Sequence, residues 1–322
     1  MNEKISVIIP LYNKEKEIKR ALDSVLCQTF QNFEVIVVDD HSSDQGPAIV
    51  KSFHDPRISF IGQEHRGVSY TRNHGVNLAS SDFVAFLDAD DEWMPKHLET
   101  LQRLIQDYPE AGMFTTACKI QPVEGKLRWA NYKYIPNPPW EGLLPDYFKS
   151  GALGFYPVVV SVVAIPKKIY HEMGGFPEGY WMGEDVDLFS RIALKYPVAF
   201  SWEFGAIYHW DASNRACDKR IPPDYVEPFV KTARAALIRG AIPKELTESL
   251  NEYIWKLEIL RASHYVKTGN SDSAQIILKQ CNTKWQYNEK MKWLLLAKFP
   301  YSLFHFIQDM RRKIIKMVRK SS

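Results

Sequence analysis

No two of the four cysteines, Cys27, Cys118, Cys217 and Cys281, stand at the close spacing of a metal clasp or a redox pair. A disulfide framework is therefore not expected, and a reduced, cytoplasmic protein is the simplest reading. No run of about 18 uninterrupted apolar residues occurs, so a bilayer-spanning helix is not expected. Met1-Asn-Glu-Lys4 leads straight into a strand-like stretch, without the profile of a signal peptide. Internal repeats and low-complexity tracts are missing too. So are the glycine-rich loops of nucleotide folds: Pro10-Leu-Tyr-Asn13 stands where a dinucleotide fold would place its glycines, and there is no P-loop. A nucleotide bound by this chain must be held by side chains and a metal rather than by a glycine cradle.

What is present is an ordinary globular composition, 322 residues at 45% hydrophobic content, enough for one large or two modest domains. The net charge of +3 is unevenly placed. Residues 223–322 carry 18 Lys+Arg against 9 Asp+Glu, whereas the preceding part carries 23 against 29. An acidic front and a basic tail suggest two regions with different partners. The expected division is 1–220 and a helical, basic 221–322.

The front reads as alternating strands and helices. Ile5–Ile9 and Glu34–Val38 are short continuous apolar runs, as in strands covered on both faces. Between them Ile18, Ala21, Leu22, Val25 and Leu26 form the stripe of an amphipathic helix, with Asn13 expected as its cap. A third strand is expected at 58–61, a helix at 67–79 and a fourth strand from Phe83. Later, 158–165 reads as a strand and 184–195 as a helix, followed by helices at 226–239, 245–267 and 271–281. This order implies an α/β protein with a mostly parallel sheet flanked by helices and a helical C-terminal region.

Chemistry collects at the carboxyl ends of the strands, where ligands bind in such sheets. Tyr12 and Asn13 follow the first strand, Asp39 and Asp40 the second, and Asp88, Asp90 and Asp91 the fourth. Asp88 and Asp90 are two apart, so on extended chain both side chains leave one face. Two carboxylates that close repel unless a cation or a donor array lies between them, and carboxylate oxygens suit Mg2+ or Mn2+. The plainer alternative is a solvated acidic turn.

Several blocks together resemble the family 2 glycosyltransferases: Ser6–Asn13, Glu34–Asp44, Gly67–Gly75, Phe86–Asp91 with its Asp-x-Asp, Gly174–Pro177 and Gly183–Leu188. The resemblance covers roughly residues 4–195 in order. It implies a GT-A fold, a nucleotide-diphosphate sugar donor, a UDP-sugar being the first expectation, and inverting transfer to an acceptor hydroxyl of a glycan or glycolipid. It also implies roles. Asp90 would bind Mn2+ or Mg2+, and Asp88 the donor ribose or sugar hydroxyls. Asp39 would read the base, with Pro10, Tyr12 and Asp40 lining the same pocket. Arg72 would meet the diphosphate or fix Asp88, unless it is simply a structural ion pair. Asp185 matches the family's base position at a helix start, where macrodipole stabilisation alone would also favour a carboxylate; Glu184 is the fallback. His209 lies where some GT-A enzymes place a metal-binding histidine, though beside aromatics it also suits packing.

Two other classes fit less well. A haloacid-dehalogenase-type phosphatase needs its Asp-x-Asp after the first strand, not about the fourth. A non-catalytic sugar or membrane adaptor of the same fold has no use for Asp185. Residues 291–320 join Trp293, Phe299, Tyr301, Phe304 and Phe306 to Arg311, Arg312, Lys313, Lys316, Arg319 and Lys320. Aromatics followed by basic residues suit an anionic membrane surface at the inner face of the membrane, the alternative being a packed helix with a solvated basic end. No nucleic-acid recognition motif accompanies the charge.

Overall fold

The computed structural model describes residues 3–213, 215, 222, 225–299 and 310. The chain divides into two compact units, Met1–Ala216 and Cys217–Ser322.

The first unit is an α/β layer structure built in the order β1 (Ile5–Leu11), α1 (Ile18–Leu26), β2 (Phe33–Asp39), α2 (Gly46–Lys51), β3 (Ile58–Gly62), α3 (Val68–Leu78) and β4 (Phe83–Phe86). It continues through β5 (Glu92–Trp93), α4 (His97–Asp107), β6 (Met113–Gln121), β7 (Arg128–Trp129), β8 (Glu141–Leu143) and α5 (Tyr147–Leu153). The last elements are β9 (Val163–Pro166), α6 (Lys167–Glu172), α7 (Glu184–Ala193) and β10 (Val198–His209). The ten strands form one sheet with the path β3-β2-β1-β4-β9-β6-β10-β5, β7 pairing with β6 and β8 with β10.

The parallel pattern expected from the front holds from β3 through β4. Beyond it the sheet is mixed: β9 runs antiparallel to both β4 and β6, whereas β10 is parallel to β6. The long run of β6 was not anticipated, because Thr115, Thr116 and Lys119 interrupt its apolar pattern; all but Lys119 and Gln121 are nonetheless buried. Ile5, Val7, Ile8 and Ile9 are fully buried, which is why their run is continuous rather than alternating.

Two local expectations are corrected. Asn13 does not cap α1: the helix begins at Ile18 after a turn closed by Ile18 N–H donating to Lys14 O at 2.9 Å. Asn13 instead takes φ 52°, a left-handed conformation that asparagine tolerates. There its Oδ1 accepts from Ser43 N at 2.8 Å, tying the β1 exit to the β2 exit. Residues 158–165 are not one strand, since Val160–Val162 form a 3-10 turn before β9. That turn aims Ser161 at the acidic cluster, as described below.

The irregular β10 matters for the site. Its pairing with β6 slips between Ser201 and Phe204 and again before Ala206, and Gly205 lies inside the slip. A Cβ there would fall 2.0 Å from Thr116 Oγ1 and 2.1 Å from His97 Nδ1, so only glycine fits. The slip lets Ala206 and Ile207 pair with Trp93 and Glu92 of β5, directly after the acidic cluster.

The second unit is helical: α8 (Pro228–Ile238), α9 (Lys244–Lys267), α10 (Ser271–Gln280) and α11 (Tyr287–Leu296). Buried Glu252 on α9 accepts from Lys284 N at 2.7 Å and Trp285 N at 3.2 Å, fixing the α10–α11 connection. Glu258 pairs with Arg234 at 3.0 Å. No residue of α11 is buried, and Tyr287, Met291 and Leu295 are exposed at every fourth position. Most of the expected membrane-facing stretch, 300–309 and 311–320, lies outside the described residues. No helix among the described residues is long and apolar enough to cross a membrane.

Candidate active site

β1, β2 and β4 end side by side, and the site is assembled there. β4 stops at Phe86, and Leu87 N–H donates to Ile8 O at 3.1 Å, so the chain leaves the sheet as the carboxylates begin. Oxygens of Asp88, Asp90 and Asp91 all lie within 4.8 Å of one another. Burial and then the Asp88 charge raise the Asp90 carboxyl above its usual range. Burial and the charges of Asp90 and Asp88 push the Asp91 carboxyl well up. Excess negative charge at short range is what a hard divalent cation relieves, so the donor set fits Mg2+ or Mn2+.

The three carboxylates are not equivalent. Asp91 is 1% exposed. Its Oδ2 accepts from Ser161 Oγ at 2.5 Å and its Oδ1 from His209 N at 2.9 Å, so it clamps the acidic loop to β10. Asp88 N–H donates to the same Ser161 Oγ at 3.3 Å, and Trp93 Nε1 donates to Ser161 O at 2.7 Å. Asp90 meets a cation already within the chain: Lys14 Nζ lies 2.6 Å from its Oδ2.

Arg72, on α3, is 3% exposed and joins two parts of the sequence. It donates to Asp88 Oδ1 at 2.7 Å and to Glu184 Oε1 at 2.8 Å. Burial opposes its charge, but Asp88 and then Glu184 outweigh that and hold the guanidinium above its ordinary range. Its neighbour Asn73 fixes the Gly174–Pro177 turn, accepting from Phe176 N at 3.0 Å and donating to Phe176 O at 3.0 Å. Gly175 takes φ 67° in that turn, the left-handed region that glycine enters freely.

α7 opens at Glu184 after Gly183 at φ 76°. Asp185 is half-buried, and its Oδ1 accepts from Val186 N at 2.7 Å. Burial, then the neighbouring Glu184 charge, push its carboxyl up to about 7, against the opposing pull of Arg72. Asp88 adds to the rise, so the two carboxylates feel one another across the site.

The other expected residues divide between open and engaged. Tyr12 is 44% exposed and stacks on His65 with ring centres 4.5 Å apart. Asp39 accepts from Ser42 N at 3.2 Å. Asp40 is fully engaged: it accepts from Arg66 N and Gly67 N at 2.8 Å each and from Gln63 Nε2 at 2.9 Å, while His65 Nδ1 lies 2.8 Å away. Its carboxylate therefore shapes the loop entering α3. Pro10 is the last residue but one of β1, beside Val38 of β2. His209 reaches the cluster through its backbone; its ring lies 3.0 Å from Asp211 Oδ1 and 3.5 Å from Glu92 Oε1. Trp202 donates Nε1–H to Pro136 O at 2.6 Å and packs on Phe200 and Tyr132, a structural use. Lys14, Glu17 and Ser161 were not anticipated. Nothing local in the sequence ties Lys14 to a carboxylate 76 positions away.

Comparison with known proteins bears on the family and the fold. Over 110 residues the chain is 42% identical to the glycosyltransferase GlyA of Streptococcus pneumoniae, covering 34% of this chain but only 16% of that protein. Over 96 residues it is 43% identical to the Escherichia coli UDP-Glc:alpha-D-GlcNAc-diphosphoundecaprenol beta-1,3-glucosyltransferase WfgD, covering 30% and 38%. The chain thus spans well under two thirds of these curated relatives. Its fold is similar to that of Staphylococcus aureus TarS 1–349 solved with UDP-GlcNAc, with TM-score 0.68, 17% identity and coverage of 96% and 92%. It is also similar to the mannosyltransferase PcManGT of Pyrobaculum calidifontis solved with GDP-Man and Mn2+, with TM-score 0.57, 17% identity and coverage of 96% and 88%. Both likenesses are to GT-A structures. The model of glycosyl transferase family 2 matches residues 6–159, from β1 through the acidic cluster to the segment after α5, and this part of the chain is a domain of that family.

Proposed function

We propose that this protein is an inverting, metal-assisted glycosyltransferase that moves a sugar from a nucleotide-diphosphate donor, a UDP-sugar in the first instance, to an acceptor hydroxyl. The observation that carries this reading is the Arg72 bridge. One buried guanidinium joins Asp88, a member of the carboxylate cluster, to Glu184, beside Asp185. A donor side and an acceptor side are thereby held in fixed relation, as a single displacement requires. WfgD is named for UDP-Glc, a diphosphoundecaprenol acceptor and a beta linkage, which supports a comparable donor and lipid-linked acceptor here.

In this reading Asp39 accepts a hydrogen bond from the base, with Tyr12 and Pro10 alongside and Asp40 holding the pocket wall. Asp88 accepts from ribose or sugar hydroxyls while Arg72 fixes its orientation. Asp90, with Asp88 and Asp91 close by, would hold Mn2+ or Mg2+; His209 is the further ligand candidate. When bound, that ion supplies Lewis-acid stabilisation of the charge left on the departing diphosphate. Asp185 takes the proton from the acceptor hydroxyl. Screening nucleotide sugars for release of nucleoside diphosphate tests the assignment. Asp90→Ala is expected to lower the turnover by on the order of a thousandfold. Full activity in that variant sinks the metal role.

A lipid-linked acceptor gives the basic tail a purpose. The exposed Tyr287, Met291 and Leu295 stripe of α11 precedes the cluster Arg311, Arg312 and Lys313. Co-sedimentation with phosphatidylserine-containing vesicles, but not with neutral ones, is the expected behaviour of the full chain. Replacing Arg311, Arg312 and Lys313 by Ala is expected to weaken it by about a hundredfold, at about 1 kcal/mol per basic residue. Equal binding to both vesicle types would remove the membrane role.

A further inference from the structure

Lys14 stands where a cation is needed. Its ammonium is 2.6 Å from Asp90 Oδ2, and the two side chains are only 12% and 19% exposed. The same Nζ donates to the carbonyl of Ser213, four residues past β10. Ser213 is held again from the other side, donating its N–H and Oγ–H to Glu17 Oε1 at 3.1 and 2.8 Å. Glu17 is buried, and its second oxygen meets no hydrogen-bond partner among the described residues. Arg20 donates to the carbonyl of Asp90, so the backbone of Asp90 stays anchored whatever its carboxylate holds. Among the described residues, Lys14 is thus the side chain that links Ser213 to the carboxylate cluster.

A divalent ion and an ammonium cannot both sit at contact distance on one carboxylate oxygen without mutual repulsion. We infer that Lys14 is the resident cation of the carboxylate site, and that a divalent ion binding at Asp90 displaces its ammonium, so that the Ser213 carbonyl loses its charged donor and Ser213 is left to its bonds with Glu17. This rests on the reading of Asp88, Asp90 and Asp91 as the divalent-ion site. Two consequences follow from the geometry. The ion must compete with a built-in charge, so the carboxylates alone bind it weakly, and the phosphates of the donor are needed to complete its shell. Entry of the ion is also felt at residues 211–213, because the Ser213 carbonyl loses its charged donor. Lys14 is thus a positioning residue that couples ion binding to the segment bordering the site.

The probe is Mn2+ alone, added to the full chain without donor and followed by the paramagnetic resonance of the free ion. Lys14→Met and Lys14→Gln are expected to bind Mn2+ about tenfold more tightly than the unaltered chain, whereas Lys14→Arg, which keeps the cation, stays close to it. Hydrogen exchange at 211–213 should accelerate on adding Mn2+ to the unaltered chain and be already fast, and insensitive to Mn2+, in Lys14→Met. Unchanged or weaker Mn2+ affinity in both neutral variants overturns the inference, as does an exchange rate at 211–213 indifferent to Mn2+ in the unaltered chain. Asp90→Asn separates the two readings. If it loses Mn2+ binding while the Lys14 variants gain nothing, only the inference fails; if it binds Mn2+ like the unaltered chain, the ion site itself is misassigned.

Discussion

Asp185→Asn is expected to lower the transfer rate by about 10²–10⁴-fold, the usual contribution of a positioned general base, with nucleotide-sugar binding retained. The amide keeps the shape of the side chain and removes only its capacity to take a proton. A base must be ionised, and this carboxyl is pushed up to about 7 by burial and by Glu184. Activity should therefore rise as pH increases through about 7 and level off above it. The stability consequence has the opposite sense. A carboxyl whose folded pKa lies above its unfolded value favours the folded state at low pH, and that contribution is lost as pH rises between the two values. With an ordinary value of 3.8 and a folded value of about 7, the loss falls in the window between them. At pH 8 Asp185→Asn should be more stable than the unaltered protein, by on the order of 1–2 kcal/mol for this partly solvated group, while being nearly inactive. Chemical denaturation at pH 5 and pH 8, beside a pH–rate profile, tests both halves. A variant that keeps its turnover assigns the base elsewhere, with Glu184 next in line.

The front of the fold was legible because its signals are local. Ile5–Ile9 and Glu34–Val38 are buried on both faces and read as apolar runs, and Ile18, Ala21, Leu22 and Val25 carry the helical stripe into the core. The second half of the sheet was less legible. β6 buries Thr115 and Thr116 among its apolar residues, and β10 slips register at Gly205 to satisfy contacts with Thr116 and His97, which are remote in sequence. The site divides the same way. Asp88, Asp90 and Asp185 stand out as charge at an element's end. Lys14 was missed because an isolated lysine after a strand is unremarkable until the fold carries it to Asp90. Asp40 shows the converse. The resemblance puts it in the lining of the base pocket, and its oxygens are occupied by Arg66, Gly67 and Gln63, contacts that the sequence does not announce.

Arg72→Met is expected to cost about 3–5 kcal/mol of stability, the range for removing one partner of a buried ion pair, and to abolish transfer as well. The arginine is 3% exposed, and its two short contacts, 2.7 Å to Asp88 and 2.8 Å to Glu184, satisfy carboxylates from the loop after β4 and from α7 at once. Without it Glu184, itself 6% exposed, keeps a buried charge beside Asp185 and across from Asp88. Protonation of Asp185 relieves part of that repulsion, so the deficit should shrink as pH falls and this carboxyl neutralises. Because Arg72 now pulls the Asp185 carboxyl down, its removal should move any residual activity to higher pH. Arg72→Lys sharpens the test. One ammonium retains the charge but cannot present two directed donors to carboxylates on different elements, as the guanidinium fork does. Lysine should therefore recover part of the stability and little of the turnover. Equal recovery of both would mean that Arg72 serves only as a charge. Stability without turnover would show that the fork sets the relation between the donor carboxylate and the base.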